Sequence, residues 1–500
     1  MPAQDKEREI KLIVPEDFDM PDLNGGATGV ASVVEAEPLD LTASYFDTSD
    51  LRLMSSGITV RRRTGEAPEP VWTLKLPVDG DPTLRTEVTQ ASDGHEPPPE
   101  IASLLKAVLI DADLVPVAEL KTRRRVWRLL DAEGGELAEL VDDRVSILDG
   151  NEIKDSFREI EVEARNAEAA GLKRIARVIE KSGGKPEQRS KASRALDVIR
   201  NRTAPTAAPA VSPGDPAAAA VRDTLSRLLR AMVARAPHAL LAEVEGVHRM
   251  RVGQRRLRSV LRAFGPLLDK DKVTPFVDEL RWLGTVLGEV RDLDVFEINL
   301  RDSAGDDPTL TPLFSTVAAR KEAARARLAE ALASDRYLDL IRTGQKLLDD
   351  EALVVAQGPC TETLPPLTTS AADKLRKTAG ALTPASPEAD YHEVRKLAKR
   401  ARYTAEAVSE YEKRKESRAL LEFAGRMTAV QNVFGAHQDA TLARDTIIAI
   451  ASEHPTNGAL NLQTGRLIER ADKQASALRE LALRKWNKLE KDKSTKWPRR

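Results

Sequence analysis

Several strand-like stretches carry the residues best suited to chemistry. In EREIK, residues 7–11, the side chains of Glu7, Glu9 and Lys11 share one face, because strand side chains alternate. In FREIEVEAR, Glu159, Glu161 and Glu163 share a face and Ile160 and Val162 take the other. AELVDDRVSI sets Glu139 in phase with Asp143. Carboxylates gathered in this way offer hard oxygen ligands to a divalent cation. Basic strands accompany them. Arg61 and Arg63 are phased with Thr59 in GITVRRR, Lys75 with Thr73 in VWTLKLP, and Arg85 with Glu87 in LRTEVT. LKTRRRVW is read with Lys121, Arg123 and Arg125 in register. Such rows of cations suit phosphate oxygens.

A second kind of site lies on helices. In HRMRVGQRRLRSVLR, residues 248–262, a turn of about 100° per residue brings His248, Arg251, Arg255, Arg258 and Arg262 to one side. Leu257, Val260, Leu261 and Phe264 fall on the other. Like charges four residues apart destabilise a helix, so this column predicts an anionic partner. The spacing recurs in HEVRKLAKRARYTAE as His392, Arg395, Lys399 and Arg402, 144 residues later. LGEVRDLDV and FGAHQDATL match at an offset of 147, Gly288 over Gly435 and Asp292 over Asp439. Two segment pairs at nearly one offset imply an internal duplication. Asp292 and Asp294 are expected to orient arginines through charged hydrogen bonds. Trp282 and Phe264 read as core.

These residues need two kinds of scaffold. Nearly every N-terminal strand is charged on one face, and the charges segregate by sign from strand to strand. An outer sheet face would mix signs, since like charges facing each other are destabilising. A closed barrel with its charges inward accounts for the pattern. Residues 203–216, TAPTAAPAVSPGDP, hold four prolines and read as a linker. Long helical periods follow it. The predicted class is a two-domain α+β chain: a β-rich domain closed into a barrel at 1–202, then an all-α duplicated domain at 217–500.

Composition narrows the function. Five hundred residues exceed one core. The 77 basic and 79 acidic residues nearly cancel, so net charge does not select a partner. Cys360 is the sole cysteine, which excludes a disulfide framework and fits a reducing cytoplasm. MPAQDKEREIK lacks a signal peptide's apolar core, and no apolar run nears the roughly 18 residues of a membrane span. Aromatics at 4% disfavour base-stacking nucleic-acid binding.

Taken in order, EREIK, YFDT at 45–48, GITVRRR, WTLK at 72–75, REIEVE and SKASR at 190–194 resemble the CYTH domain of the triphosphate tunnel metalloenzyme superfamily, over roughly residues 5–200. The resemblance implies a closed antiparallel β-barrel of about eight strands around a polar tunnel. It implies a reaction on triphosphates, either hydrolysis, RNA capping or cyclic AMP formation. Carried over by position, Glu7, Glu9, Glu159 and Glu161 are the expected metal carboxylates for Mg2+ or Mn2+, with Glu163 and Asp143 as further members. Strand phase with Glu139 favours Asp143 over Asp142. Glu7, Glu9 and Lys11 are the expected catalytic residues. Lys11, Arg61, Arg63, Lys75, Arg125 and Lys191 form the expected phosphate clamp, joined by Arg85, Lys121, Arg123 and Arg194.

VHRMRVGQRRLR, LGEVRDLDV, YHEVRKLAKRARY and the Gln431–Asp439 stretch resemble the CHAD domain, over about residues 217–490. That resemblance implies a helical duplication binding inorganic polyphosphate along a basic groove. The expected groove set adds Arg291 and Lys396 to the two columns. The leading expectation is a cytoplasmic phosphohydrolase acting on inorganic triphosphate or polyphosphate and gathering at polyphosphate granules. The alternatives are a polyphosphate-binding protein without turnover and a class IV-like adenylate cyclase.

Overall fold

Strand β1 (Ala3–Val14) alternates as its sequence requires: Leu12 and Val14 are buried in an apolar core, while Glu7, Glu9 and Lys11 turn the other way. It belongs to a computed structural model that describes residues 3–200, 211–304, 307–491 and 498. The chain divides into two units, Met1–Pro209 and Ala210–Arg500.

The first unit is built on β2 (Ser32–Glu35), β3 (Leu39–Asp47), β4 (Thr59–Thr64), β5 (Val71–Pro77), β6 (Leu84–Ala91), β7 (Val115–Leu130), β8 (Glu136–Asp149), β9 (Glu152–Ala164) and β10 (Lys185–Glu187), besides β1. Eight strands run antiparallel in the order β1-β6-β5-β4-β3-β7-β8-β9, and β9 pairs back onto β1 to close the barrel. β2 lies along the end of β7 and β10 along β1. Among the described residues, four helices accompany them: α1 (Arg52–Ser55), α2 (Pro99–Leu109), α3 (Ala169–Lys181) and α4 (Lys191–Ile199). α3 sets Leu172, Ile175 and Ile179 against Leu12, Ile160 and Val162 on the outside of the barrel. Each such fully buried side chain contributes about 1.5–3 kcal/mol. α4 closes one end of the barrel, where Ala192 and Ala195 meet Leu120, Val145 and Phe157. Ser190 caps α4, its Oγ accepting from the Ser193 amide at 3.1 Å. That cap fixes Lys191 at the first helical position.

The second unit contains α5 (Ala217–Val233), α6 (Ala236–Leu240), α7 (Val244–Ala263), α8 (Lys270–Ala304), α9 (Thr311–Ala333), α10 (Asp335–Asp349), α11 (Cys360–Thr363), α12 (Pro365–Gly380), α13 (Glu388–Ser409), α14 (Arg414–Ala451) and α15 (Gly458–Lys491). The duplication is visible in the packing. α5 packs on α7, α7 on α8 and α8 on α9. α12, α13, α14 and α15 repeat that series. Phe264 is fully buried, as expected. Trp282 is not core: it is half-buried, with the Arg336 guanidinium 4.2 Å above its ring. It flanks the buried Leu283, and helical rotation turns it outward. Of the expected linker, 203–210 lie outside the described residues. Asp215 and Pro216 are tied to the helical unit, since the Cys360 amide donates to the Asp215 carbonyl at 3.0 Å and Pro216 bridges Pro359. No helix among the described residues is long and apolar enough to cross a membrane.

Candidate functional sites: a polar barrel and a cationic helix pair

The barrel encloses a cavity of about 410 Å³ lined by charged residues from most of its strands. A second cavity of similar volume, lined by Arg85 and Lys173 among others, adjoins it and shares Lys11, Thr59, Lys75 and Ser190 with it. Strand register sets the layout. Glu9 stands opposite Glu163 and Lys11 opposite Glu161 between β1 and β9, and Asp143 stands opposite Glu159 between β8 and β9.

The six candidate metal carboxylates divide into two groups. Glu7, Glu9 and Glu163 each bring one oxygen within 4.8 Å of the others. Burial, reinforced by the Glu7 and Glu161 carboxylates, pushes Glu163 up to about 8. Three converging carboxylates, one of them short of compensating charge, fit a hard divalent cation. Glu159, Glu161 and Asp143 instead surround the Lys191 ammonium, at 2.8, 2.8 and 3.1 Å. Burial would raise Glu161, but Lys191, Lys11 and Arg124 outweigh it and hold that carboxyl well below its ordinary range. Lys11 lies 3.0 Å from Glu9 and 3.3 Å from Glu161. Lys75 pairs with Glu7 and lies 3.5 Å from Glu87.

Two cations face the cavity with polar atoms unused. The Nε atoms of Arg61 and Arg63 are buried without a hydrogen-bond partner among the described residues. Arg63 pairs with Glu66, and Arg61 approaches Glu87 only to 3.9 Å.

β7 has the opposite phase from the one expected. Arg124 faces the cavity, buried beside Asp143 and Glu161. Lys121, Arg123 and Arg125 are exposed on the outside. Arg125 pairs there with Glu35 of β2 at 2.7 Å and stacks on Trp127. Ala118 and Leu120 fix this phase by filling the end of the barrel. Arg85 hydrogen-bonds the Pro82 and Leu84 carbonyls and lines the second cavity. Arg194 lies outside both, 3.8 Å from Glu187 and over the Phe157 ring. Asp143 is inward and fully buried, whereas Asp142 pairs with Arg158 at 2.9 Å.

In the helical unit α7 packs on α13. A cavity there is lined by His248, Arg251, Arg255, Arg291 and Arg395. Lys399 faces the same cluster. Burial, with Arg255, Arg395 and Arg251 beside it, pulls Lys399 down to about 6. The Nε atoms of Arg255 and Arg395 are buried and have no hydrogen-bond partner among the described residues. The duplication repeats the support. Asp292 receives Arg251 at 3.0 Å, and Asp439 lies 3.9 Å from Arg395. Gly288 and Gly435 leave room for these guanidiniums, a Cβ on either falling 3.5 and 3.4 Å from Nη2. Asp294 does not do for an arginine what Asp292 does; it is buried, 3.0 Å from Lys321 and 3.7 Å from Arg325.

The remaining column members are dispersed. His392 Nδ1 meets Gln438 Oε1 at 2.8 Å. Burial lowers both His248 and His392 from the ordinary imidazole value, with Arg291 beside the first adding to it. Arg258 and Arg262 continue the column toward Arg281, and Arg400 donates to the Arg262 carbonyl at 3.0 Å. Lys396 is exposed and paired with Glu393 at 2.6 Å, and Arg402 is paired with Glu406 at 2.8 Å. Sequence reasoning missed Arg281 and Arg400. Arg281 belongs to another helix, and Arg400 is off the repeating spacing.

Comparison with known proteins assigns a domain family to each unit. Residues 5–194 match the CYTH domain model and residues 223–447 the CHAD domain model. Two uncharacterized proteins of Mycobacterium tuberculosis, from strains CDC 1551 / Oshkosh and ATCC 25618 / H37Rv, are each 30% identical over 528 residues, spanning 97% of both chains. Among solved structures, the CHAD domain from the plant Ricinus communis is 26% identical, covering 56% of this chain and 97% of its own, with a TM-score of 0.46. PptA from Streptomyces chartreusis is 21% identical, covering 55% and 100%, with a TM-score of 0.45. The chain belongs to the family of bacterial proteins in which a CYTH domain is followed by a CHAD domain.

Proposed function

We propose that the barrel hydrolyses inorganic triphosphate or short polyphosphate with Mg2+ or Mn2+, and that the helical unit binds polyphosphate. We take residues 1–202 and 217–500 as the two working domains. The observation that carries this reading is the charge layout of one cavity. Glu7, Glu9 and Glu163 converge on one side, while Arg61 and Arg63 leave buried Nε atoms unused. CYTH tunnel metalloenzymes use a divalent metal, and their superfamily consists typically of hydrolases and cyclases.

Glu7, Glu9 and Glu163 would hold the cation. When bound it neutralises charge on the phosphate oxygens. Arg61, Arg63, Lys75 and Arg124 hold the remaining oxygens and stabilise the charge that develops on the leaving phosphate. Lys11 and Lys191 keep Glu161 ionised, and Lys191 holds Glu159 in place although burial pushes that carboxyl up to about 7. In the helical unit, Arg251, Arg255, Arg395 and Lys399 supply a cluster of cations to successive phosphates.

The test is phosphate release by the full-length protein from triphosphate, long-chain polyphosphate and ATP, with Mg2+ and with Mn2+. Metal-dependent release from triphosphate supports the reading. Release from none of the three would leave a binding protein. Cyclic AMP formed from ATP would replace hydrolysis by cyclisation.

A further inference from the structure

Two cavities of the helical unit share a wall. The cation-lined one lies against α7 and α13. The other, about 360 Å³, is bounded by α8, α14 and α15. Phe296, Asn299, Asp439 and Ala443 line both, so the two cavities adjoin. The duplication shows why the second is open. At the offset of 147, Ala440 stands where the first repeat has Leu293, and Ala443 where it has Phe296.

The second cavity differs chemically from the first. Leu300, Ile447 and Leu467 give it an apolar wall, and Asn299, Asp302 and Gln474 give it polar groups. Arg470, which also lines it, donates to the Ser303 carbonyl at 3.1 Å. A bare polyphosphate does not suit this space, because Asp302 and Asp439 repel it and the apolar wall offers no donors. A mixture of apolar wall and a few placed polar groups is what an organic ligand requires. The carboxylates and amide oxygens accept hydrogen bonds from hydroxyl or amino groups.

We propose that the helical unit also binds a phosphate ester, with its phosphate among Arg251, Arg255 and Arg395 and its organic part, rich in hydroxyl or amino donors, between α8, α14 and α15. This rests on the anion-binding reading of the cation cluster given above. A nucleotide and a sugar phosphate share this chemistry.

Calorimetric titration of the full-length protein, with EDTA present, separates them. The probes are ADP against pyrophosphate and ribose 5-phosphate against inorganic phosphate. At least one ester should bind ten-fold or more tightly than its inorganic counterpart. Ala440→Leu, which restores the residue of the first repeat, and Gln474→Ala should each remove that excess. Pyrophosphate and phosphate affinities should then stay within two-fold, which also reports that the variants fold. Binding of neither ester above its inorganic counterpart overturns the proposal. So does an excess that survives both variants, since the ester would then sit elsewhere. The underlying anion reading is tested apart from any ester: it fails if Arg255→Glu leaves long-chain polyphosphate binding unchanged.

Discussion

The guanidinium of Arg124 donates two hydrogen bonds to the carboxylate of Asp143, 2.8 Å from Nε and 2.7 Å from Nη2. Asp143 also receives the Lys191 ammonium at 3.1 Å. One buried carboxylate thus aligns a cation from β7 and another from α4. Asp143→Ala would leave Arg124 with the longer Glu161 contact at 3.4 Å and take one of three carboxylates from Lys191, and breaking a buried pair costs about 3–5 kcal/mol. The Arg125–Glu35 pair is half exposed, so Arg125→Ala should cost about 1 kcal/mol or less. Thermal unfolding of the two variants measures the difference. A larger loss for Arg125→Ala would reverse the assigned strand phase.

Glu163 lies among carboxylates, which together with burial favour its neutral form. Glu163→Gln fixes this group in an uncharged form and so removes the repulsion its ionised form would exert on Glu7 and Glu9. Without metal, the melting temperature should therefore hold or rise. Added Mn2+ should raise the melting temperature of the wild type, as any ligand of the native state does, and raise that of the variant much less. An equal metal-induced shift in both proteins would remove Glu163 from the cation site. Glu7→Gln should behave in the same way and also abolish metal-dependent phosphate release.

Strand phase was legible wherever apolar and charged residues alternate cleanly. EREIK and VWTLKLP send to the cavity the residues their periodicity indicates, and FREIEVEAR sends Glu161 and Glu163 there, with Glu159 buried against Lys191. It failed at Lys121–Arg125, where charges occupy both phases. There Ala118 and Leu120 decide the matter by packing against α4, a contact made across a long sequence separation. Segregation of sign predicted the barrel interior but not its internal pairing. Nothing local to REIEVE says that Glu161 faces Lys191 while Glu163, two residues on, faces Glu7 and Glu9. The cationic columns were legible from spacing. Their division into a convergent part and paired parts depends on acids placed by other helical turns, Glu393 and Glu406 among them.

Lys399 gives the anion site a pH dependence. Its folded value of about 6 lies below the ordinary 10.5 because burial and Arg255, Arg395 and Arg251 disfavour its charge. Between these two values the unfolded chain holds a proton that the folded chain lacks. Stability of the free protein should therefore rise with pH across that window, from this group, and level off below about 6. A bound polyanion reverses the balance and draws the proton back. Polyphosphate affinity should weaken as pH rises above about 6, with proton uptake visible in buffers of different ionisation enthalpy. Lys399→Gln should flatten the dependence. A pH slope identical in the wild type and Lys399→Gln would assign the dependence to another group.

Arg255 and Arg249 lie on the same helix but face different surroundings. Arg255 lines the cationic cavity with an unpartnered buried Nε, whereas Arg249 is exposed and pairs with Glu245. A diffuse basic surface would lose similar affinity from reversing either charge. An ordered groove would not. Charge-assisted hydrogen bonds contribute about 1.5–3 kcal/mol each, so Arg255→Glu should weaken polyphosphate binding by roughly one to two decades. Arg249→Glu should weaken it much less, through long-range repulsion alone. Wild-type affinity should fall steeply with salt, as released counterions require, and Arg255→Glu should make that slope shallower. Calorimetric titration of the full-length variants with long-chain polyphosphate, at two salt concentrations, reads both quantities. Equal losses for Arg249→Glu and Arg255→Glu, with equal slopes, would show attraction to overall charge and remove the cavity from the binding site.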